Sequence, residues 1–287
     1  SDRTRGWANG ERYVMGKRAD KEVLIIIPAY NEEKNIRKVL EDLQQRDIQS
    51  LADVLVMNDA SADETNWIVK RSSFPHKLVT HVFNLGYGSA LQLGYKYAIR
   101  RGYRYVIQMD ADGQHDVCNI PKIYEALTSA DEQGKTPDIV LCSRYMEGSG
   151  IYQTTVVKRL AHGLFQRMIR LFSGRWITDT TTGLQGLNWS AVLYYSKYGH
   201  FDDQYPDANM ILQMLLLGFR VKEIPAVMHP RVTGKSMHSG YKPFVYMFRM
   251  FFSMIAIYVR VRMLRLNTGG CSVDEFYDRN NSGGTRQ

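Results

Sequence analysis

The feature that most limits how this chain can fold is an alternation. Short apolar runs at 23–27, 54–57, 78–83 and 105–109 are separated by stretches whose apolar residues recur at helical spacing. The run VLIII at 23–27 is unbroken, which fits a strand buried on both faces. Pro28 stops it. Asn31 then reads as a helix N-cap, with Glu32 and Glu33 in the first turn and Ile36, Val39, Leu40 and Leu43 on one apolar face. Further helices are expected over 63–71 and 89–101. Strands alternating with helices in this way are the signature of βαβ units, so the fold class is α/β with a mostly parallel, Rossmann-like central sheet flanked by helices. Ligands of such sheets bind beyond the carboxyl ends of the strands. Polar residues gather there: Tyr30 and Glu32, Asp59, Gly86 to Gly88, and Asp110 with Asp112.

The fourth run carries the sharpest chemistry. YVIQM at 105–109 leads directly into Asp110-Ala111-Asp112-Gly113-Gln114-His115. Two carboxylates one residue apart at the end of a buried strand repel each other and each needs solvent or a cation. A hard divalent ion resolves that cost, because Mg²⁺ takes one or two carboxylates together with substrate phosphates. Read alone, the pair is equally compatible with a solvated acidic turn. His115 and His238 are left out of the metal site, since such an ion prefers oxygen.

Other motifs narrow the ligand. Gly86-Tyr87-Gly88 resembles the start of a dinucleotide loop, but Leu91 stands at the third glycine position and no Walker-type loop is present. Lys and Arg number 37 against 29 Asp and Glu, a net charge of +8. That excess favours an anionic partner: nucleic acid, a membrane surface or a phosphorylated substrate. No nucleic-acid recognition motif accompanies the charge. Cys118, Cys142 and Cys271 are too few and too scattered for a disulfide framework or a thiolate metal site, which fits a reducing cytosol.

Taken in order, several motifs resemble the family 2 glycosyltransferases of the GT-A fold, in the subgroup of dolichyl-phosphate mannose synthases and bacterial polyprenyl-phosphate glycosyltransferases. They are Ile27-Pro28-Ala29-Tyr30-Asn31-Glu32, Asn58-Asp59-Ala60-Ser61-Ala62-Asp63, the glycine-rich 84–90, and Asp110 to His115. Ser143-Arg144-Tyr145, Asp179-Thr180-Thr181-Thr182-Gly183-Leu184 and Arg231-Val232-Thr233-Gly234-Lys235-Ser236 continue the resemblance, which covers 22–240. It implies that Pro28, Ala29, Tyr30, Glu32, Asp59, Gly88, Asp110 and Ala111 bind the nucleotide. It also implies that Asp110, Asp112 and Gln114 hold Mg²⁺ or Mn²⁺ on the donor diphosphate. Arg144, Arg231 and Lys235 are the phosphate donors, a role suited to their chemistry.

Two departures from the family pattern bear on the acceptor. Members that glycosylate a hydroxyl commonly carry an acidic base before a late helix; here the region reads Phe201-Asp202-Asp203-Gln204-Tyr205-Pro206-Asp207-Ala208-Asn209, with Asn209 where a second acid often stands. Asp207 is the candidate base, and helix capping is the equal alternative for Asp202, Asp203 and Asp207. A phosphate acceptor needs no base, being already ionised. Second, relatives often end in transmembrane helices, whereas Arg249 interrupts the apolar stretch at 241–266. What remains is shorter than the ~20 residues of a span. Lys242, Arg249, Ser253 and Arg260 fall on one stripe of this helix. At 156–172, Lys158, Arg159, His162, Gln166, Arg167 and Arg170 oppose Leu160, Leu164, Phe165, Met168 and Ile169. Both read as in-plane amphipathic helices at an anionic membrane surface; packing on the catalytic domain or on a second subunit, as in a homo-oligomer, is the other use of such faces.

The expected organisation is a flexible segment at 1–20, a GT-A domain at 21–240, and an amphipathic interface helix with a polar tail at 241–287. The expected activity is inverting, metal-dependent transfer from a nucleotide-diphosphate sugar, a UDP-sugar foremost. Its acceptor is a polyprenyl phosphate at the cytoplasmic face of the membrane, where the protein is peripheral. Asp112, Asp207 and Arg231 are its candidate catalytic residues. Transfer to a sugar hydroxyl of a lipid-linked glycan, and a silent sugar-nucleotide-binding protein, are the alternatives; the intact Asp110 and Asp112 speak against the last.

Overall fold

The structure, a computed structural model, describes residues 5–8, 11–14, 19–149, 156–229 and 242–263. Arg5–Ala8 (β1) and Glu11–Val14 (β2) pair as an antiparallel ribbon of their own, in a stretch where no regular element is predicted. The apolar run near residue 23 becomes β3 (Val23–Ala29), with every residue buried. Alternation along the strand sends Leu24 and Ile26 into one core layer and Val23, Ile25, Ile27 and Ala29 into the other. That is why the run contains no polar residue.

β3 pairs in parallel with β4 (Ala52–Asn58) and β6 (Tyr105–Gln108), and β4 pairs in parallel with β5 (Lys77–Thr80). β7 (Ile139–Ser143), β8 (Gln185–Asn188) and β9 (Val221–Pro225) complete a seven-stranded sheet in the order β5-β4-β3-β6-β8-β7-β9. β8 alone in this sheet is reversed, antiparallel to both β6 and β7. The mostly parallel GT-A arrangement implied by the resemblance is therefore present. The reversal has a functional consequence: Gln185 at the start of β8 pairs with Gln108 at the end of β6. The turn that precedes β8 thus lies on the same rim as Asp110.

One face of the sheet is covered by α1 (Ile36–Asp42), α2 (Arg46–Leu51), α3 (Thr65–Arg71) and α5 (Asn119–Thr128). The other is covered by α4 (Tyr87–Arg101), α6 (Val156–Ser173), α7 (Trp189–Ser196), α8 (Ala208–Leu216) and α9 (Lys242–Tyr258), which continues as a π-helical turn, Val259–Met263. Asn31 is not a helix cap. It sits at φ 55, a left-handed conformation that Asn tolerates better than most residues. Its side-chain oxygen accepts from the Ala62 amide (2.9 Å) and its own amide donates to Ser61 Oγ (3.0 Å), so it joins the ends of β3 and β4.

The two amphipathic helices are present, but their faces are used differently from the expectation. Phe165, Met168 and Ile169 of α6 and Met250, Met254 and Ile257 of α9 are buried in the core that covers one face of the sheet. The helices also touch each other through Phe165 with Tyr246 and Phe172 with Tyr258. The polar stripe of α9, expected to face anionic lipid, is at its described side chains paired within the chain instead, Arg249 at the surface and Ser253 and Arg260 half-buried. Arg249 donates to Gln204 Oε1 (2.5 Å), Ser253 Oγ accepts from Asn209 (3.1 Å), and Arg260 bonds to Gln213. The face left outside is apolar: Val245, Phe248 and Phe252 are 56–63% exposed, and Leu160 and Leu171 of α6 are exposed beside Arg159, Arg167 and Arg170.

Candidate active site

Asp110 is the hub of the rim. It stands two residues beyond the end of β6, and Tyr87, at the start of α4, donates its hydroxyl to Asp110 Oδ1 (2.8 Å). His115 Nε2 lies 3.8 Å from Asp110 Oδ2. From the other side the turn before β8 closes in. A Cβ on Gly183 would overlap the Asp110 carboxylate, with its Cγ at 2.6 Å, so the turn can pass Asp110 only without a side chain there. Burial pushes the Asp110 carboxyl up, but His115, the Tyr87 hydrogen bond and the Arg144 charge outweigh it and hold the group below its ordinary value. Asp112 stands one turn on, with Oδ1 accepting from the Gln114 amide (3.0 Å) across Gly113 at φ 71. Ala111 between them points into the core and is buried.

The residues expected to bind the nucleotide base and ribose stand at and beyond the end of β3. Pro28 and Ala29 are buried strand residues, and the Ala29 carbonyl accepts from the Asp59 amide (2.9 Å). Tyr30 is 48% exposed beyond them, and Glu32 accepts from Asn35 (2.8 Å). Asp59, assigned from the resemblance to a nucleobase, is buried and heavily engaged. Its Oδ1 accepts from His81 Nδ1 (2.7 Å) and the Leu85 amide (2.9 Å), and its Oδ2 from the Gly86 amide (2.9 Å). Asp59 therefore organises the loop that presents Tyr87. Gly88, assigned to the nucleotide, is buried against protein. A Cβ there would overlap the Asp202 carbonyl oxygen, so its smallness serves the packing of α4 on 201–207.

Arg144, expected to bind phosphate, is engaged within the protein. Its fork is spread on Asp179, Nε to Oδ2 at 2.7 Å and one terminal nitrogen to Oδ1 at 2.8 Å, with further bonds to Thr181. Asp179 is fully buried, and removing one partner from such a pair typically costs ~3–5 kcal/mol. In this arrangement Arg144 braces the 179–184 turn that packs on Asp110 rather than offering a free fork to a phosphate. Arg231, Lys235 and His238 lie outside the described residues.

Asp207 occupies the N-cap position of α8, but its side chain makes no capping bond. Its carboxylate accepts from the Tyr246 hydroxyl of α9 (2.6 Å), while Asn209 Oδ1 takes the amides of Asp207 and Met210 (2.9 Å each). Asn209 also donates to Asp202 Oδ2 (3.0 Å), which an acid at that position could not do while ionised. Asp202 is itself a turn cap, receiving the Gln204 and Tyr205 amides (2.9 Å each). Burial pushes the Asp207 carboxyl up to about 6, with repulsion from Asp110 and Asp202 adding to it and Tyr246 and Arg144 opposing.

A raised value has a defined sign for stability. The proton on Asp207 stabilises the fold below about pH 4, the ordinary carboxylate range, and that contribution is lost as pH rises through about 6. Asp207→Asn is therefore expected to raise the melting temperature at pH 8, by about 1–3 kcal/mol in stability, with the gain vanishing near pH 4. Thermal melts of both proteins at the two pH values test this; an equal or larger gain at pH 4 would contradict it.

Three residues that matter were given no role from sequence: Tyr87, Gly183 and Tyr246. The first two lie inside recognised motifs, between two glycines and at the end of the Asp179 turn. Nothing in the pattern around Tyr246 marks it out.

Residues 24–192 match the model of the family described as "Glycosyl transferase family 2". The chain belongs to glycosyltransferase family 2. The undecaprenyl-phosphate mannosyltransferase of Micrococcus luteus is 31% identical over 76% of this chain and 88% of that protein. A UDP-N-acetylglucosamine–dolichyl-phosphate N-acetylglucosaminyltransferase of Methanococcus voltae is 27% identical over 62% of this chain and 74% of that protein. Among solved structures, glucosyl-3-phosphoglycerate synthase of Mycobacterium tuberculosis superposes with a TM-score of 0.60 at 15% identity, covering 84% of this chain and 78% of that one. At that identity the likeness speaks to the fold, and the fold of this glycosyltransferase is that of its neighbour.

Proposed function

We propose that this glycosyltransferase moves a hexosyl or N-acetylhexosaminyl group, with inversion, from a UDP-sugar to a polyprenyl phosphate at the cytoplasmic membrane face. The observation that carries it is the Asp110–Asp112 pair on the carboxyl-end rim, with Asp110 kept ionised by Tyr87 and His115. The named relatives act on polyprenyl or dolichyl phosphates, and the M. tuberculosis neighbour was solved with Mn²⁺ and UDP. The donor set fits a hard divalent ion: carboxylate oxygens at the mouth of the sheet. Among the described residues no three His, Cys, Asp or Glu side chains gather as a cage. Mg²⁺ or Mn²⁺ on Asp110 and Asp112, with Gln114 beside them, would take its other ligands from the diphosphate and water. Asp110 and Asp112 would hold such an ion where it would supply charge neutralisation for a departing nucleoside diphosphate. The chain's own part is to fix the two carboxylates, through Tyr87, the Gly183 turn and the Gln114 amide, and to bring Arg231 and Lys235 to phosphate oxygens.

Membrane contact belongs to the same reading. Among the described residues no helix is long and apolar enough to cross a bilayer. The outward apolar face of α9, with the exposed leucines and arginines of α6, suits a helix pair lying in an anionic interface. A second reading, transfer to a sugar hydroxyl, is favoured by one observation: Asp207 sits near Asp110 with a carboxyl raised to about 6, poised for a base. One assay separates the two. Radiolabelled sugar transfer is measured to polyprenyl phosphate in anionic vesicles, from which the protein should be released in part by high salt. With a phosphate acceptor Asp207→Asn retains most of the activity, whereas Arg231→Ala loses about 10-fold or more with its charge-assisted contact. Loss in Asp207→Asn alone, or no transfer to polyprenyl phosphate from any donor, rejects the phosphate reading.

A further inference from the structure

The loop 201–209 is held from two sides. On one side its backbone is the floor of the donor rim: the Asp203 carbonyl accepts from the Ser89 amide (3.0 Å), and the loop passes so close to Gly86 and Gly88 that neither position has room for a Cβ. Tyr87, which binds Asp110, stands between those glycines, and Asp59 holds the amides of Leu85 and Gly86 just before it. On the other side the loop is fastened to α9. Tyr246 donates to Asp207 (2.6 Å), Arg249 donates to Gln204 (2.5 Å) with its guanidinium 5.2 Å from the centre of the Tyr205 ring, and Ser253 receives Asn209 (3.1 Å). The Tyr205 ring meets that of Tyr246 edge-on at 5.4 Å. Three residues of the loop, Gln204, Tyr205 and Asp207, and Asn209 at the start of α8 are thus tied to three residues of α9, and the same loop packs against the glycines on either side of Tyr87.

We propose that Tyr246 and Arg249 are positioning residues for the donor: α9 seats loop 201–209, and through it the Tyr87–Asp110 pair, in the arrangement that receives a nucleoside diphosphate with its cation. The inference rests on the reading of Asp110 as part of the donor site. It makes the C-terminal helix a working part of the donor half, although α9 lies on the far side of the loop from Asp110. A helix that merely added stability would lower the melting temperature when cut away from the loop and leave ligand affinity, measured well below that temperature, where it was.

The experiment is UDP binding with Mn²⁺ by calorimetry, alongside thermal melts. Tyr246→Phe removes one hydroxyl and Arg249→Ala one guanidinium. Each is expected to weaken UDP binding about 5–10-fold, the size of coupling usual between contacting groups. In an Asp207→Ala background, Tyr246→Phe should cost nothing further, because its route to the donor is gone. Ala256→Gln, an exposed substitution on the same helix, should leave the affinity unchanged. Wild-type affinity in both Tyr246→Phe and Arg249→Ala overturns the proposal, as does an equal loss in Ala256→Gln. If the unaltered protein shows no Mn²⁺-dependent binding of any nucleoside diphosphate, the donor reading itself falls and the proposal with it.

Discussion

Asp112→Asn is expected to lower kcat/KM for sugar transfer by about 10²–10³-fold or more, the loss typical when one group that stabilises developing charge is removed. The substitution is nearly isosteric and keeps an oxygen for the Gln114 amide, which bonds to Asp112 at 3.0 Å, so the turn through Gly113 has no reason to open. What disappears is one of two adjacent negative charges. The repulsion between Asp110 and Asp112 is relieved, and the fold should be as stable as before or slightly more so, a common trade between activity and stability. Activity and melting temperature are thus expected to move independently. Steady-state transfer assays with a range of Mn²⁺ concentrations, and melts of both proteins, measure the two. Near-normal turnover in the variant, or full activity of the unaltered protein in excess EDTA, would remove the basis for a cation at this pair.

Gly88→Ala should be the most damaging small substitution among the glycines of the rim. On helix propensity alone it would be favourable, since Ala exceeds Gly by about 1 kcal/mol inside a helix. Packing decides otherwise. The added Cβ would overlap the Asp202 carbonyl oxygen and lie 2.8 Å from the Asp203 carbonyl carbon. These are backbone atoms that cannot swing aside as a flexible side chain would. Either α4 or loop 201–207 must shift, at a typical overpacking cost of about 1–3 kcal/mol. For a domain of this size each kcal/mol lowers the melting temperature by about 2–4 °C. A shift of α4 would carry Tyr87, at its start, away from Asp110, and donor affinity should then fall about 10-fold or more together with stability. An unchanged melting temperature and unchanged donor affinity would show that the loop yields freely there.

The sequence by itself determined the layers and the rim. An apolar run without a polar break at 23–27 can only be a strand covered on both faces, and β3 is that strand. Asp110-Ala111-Asp112 just beyond β6 places two charges where a parallel sheet opens to solvent, but spacing alone left a solvated acidic turn as likely as a site, and the resemblance of the other motifs was needed to prefer a site. Recognised motifs named Asp110, Asp112 and Arg144 as residues of the rim. They could not say what each touches, because a motif records neighbours in the chain and not neighbours in space.

Only the tertiary structure decided which partners were already taken. Asp59 spends its carboxylate on His81 and two amides, Arg144 spends its fork on Asp179, and Gly88 packs against the Asp202 backbone. Each of those partners lies at least 22 positions away in the chain, in Asp59's case at His81. The direction of α9 shows the limit most plainly. Helical periodicity established that Arg249, Ser253 and Arg260 share a stripe, but periodicity is symmetric about the helix axis and says nothing of which side is covered. Buried Asn209 and Gln213 meet Ser253 and Arg260 of that stripe, since buried polar groups must pair, while Arg249 pairs with Gln204 at the surface; Met250, Met254 and Ile257 fill the core, and Val245, Phe248 and Phe252 stay outside.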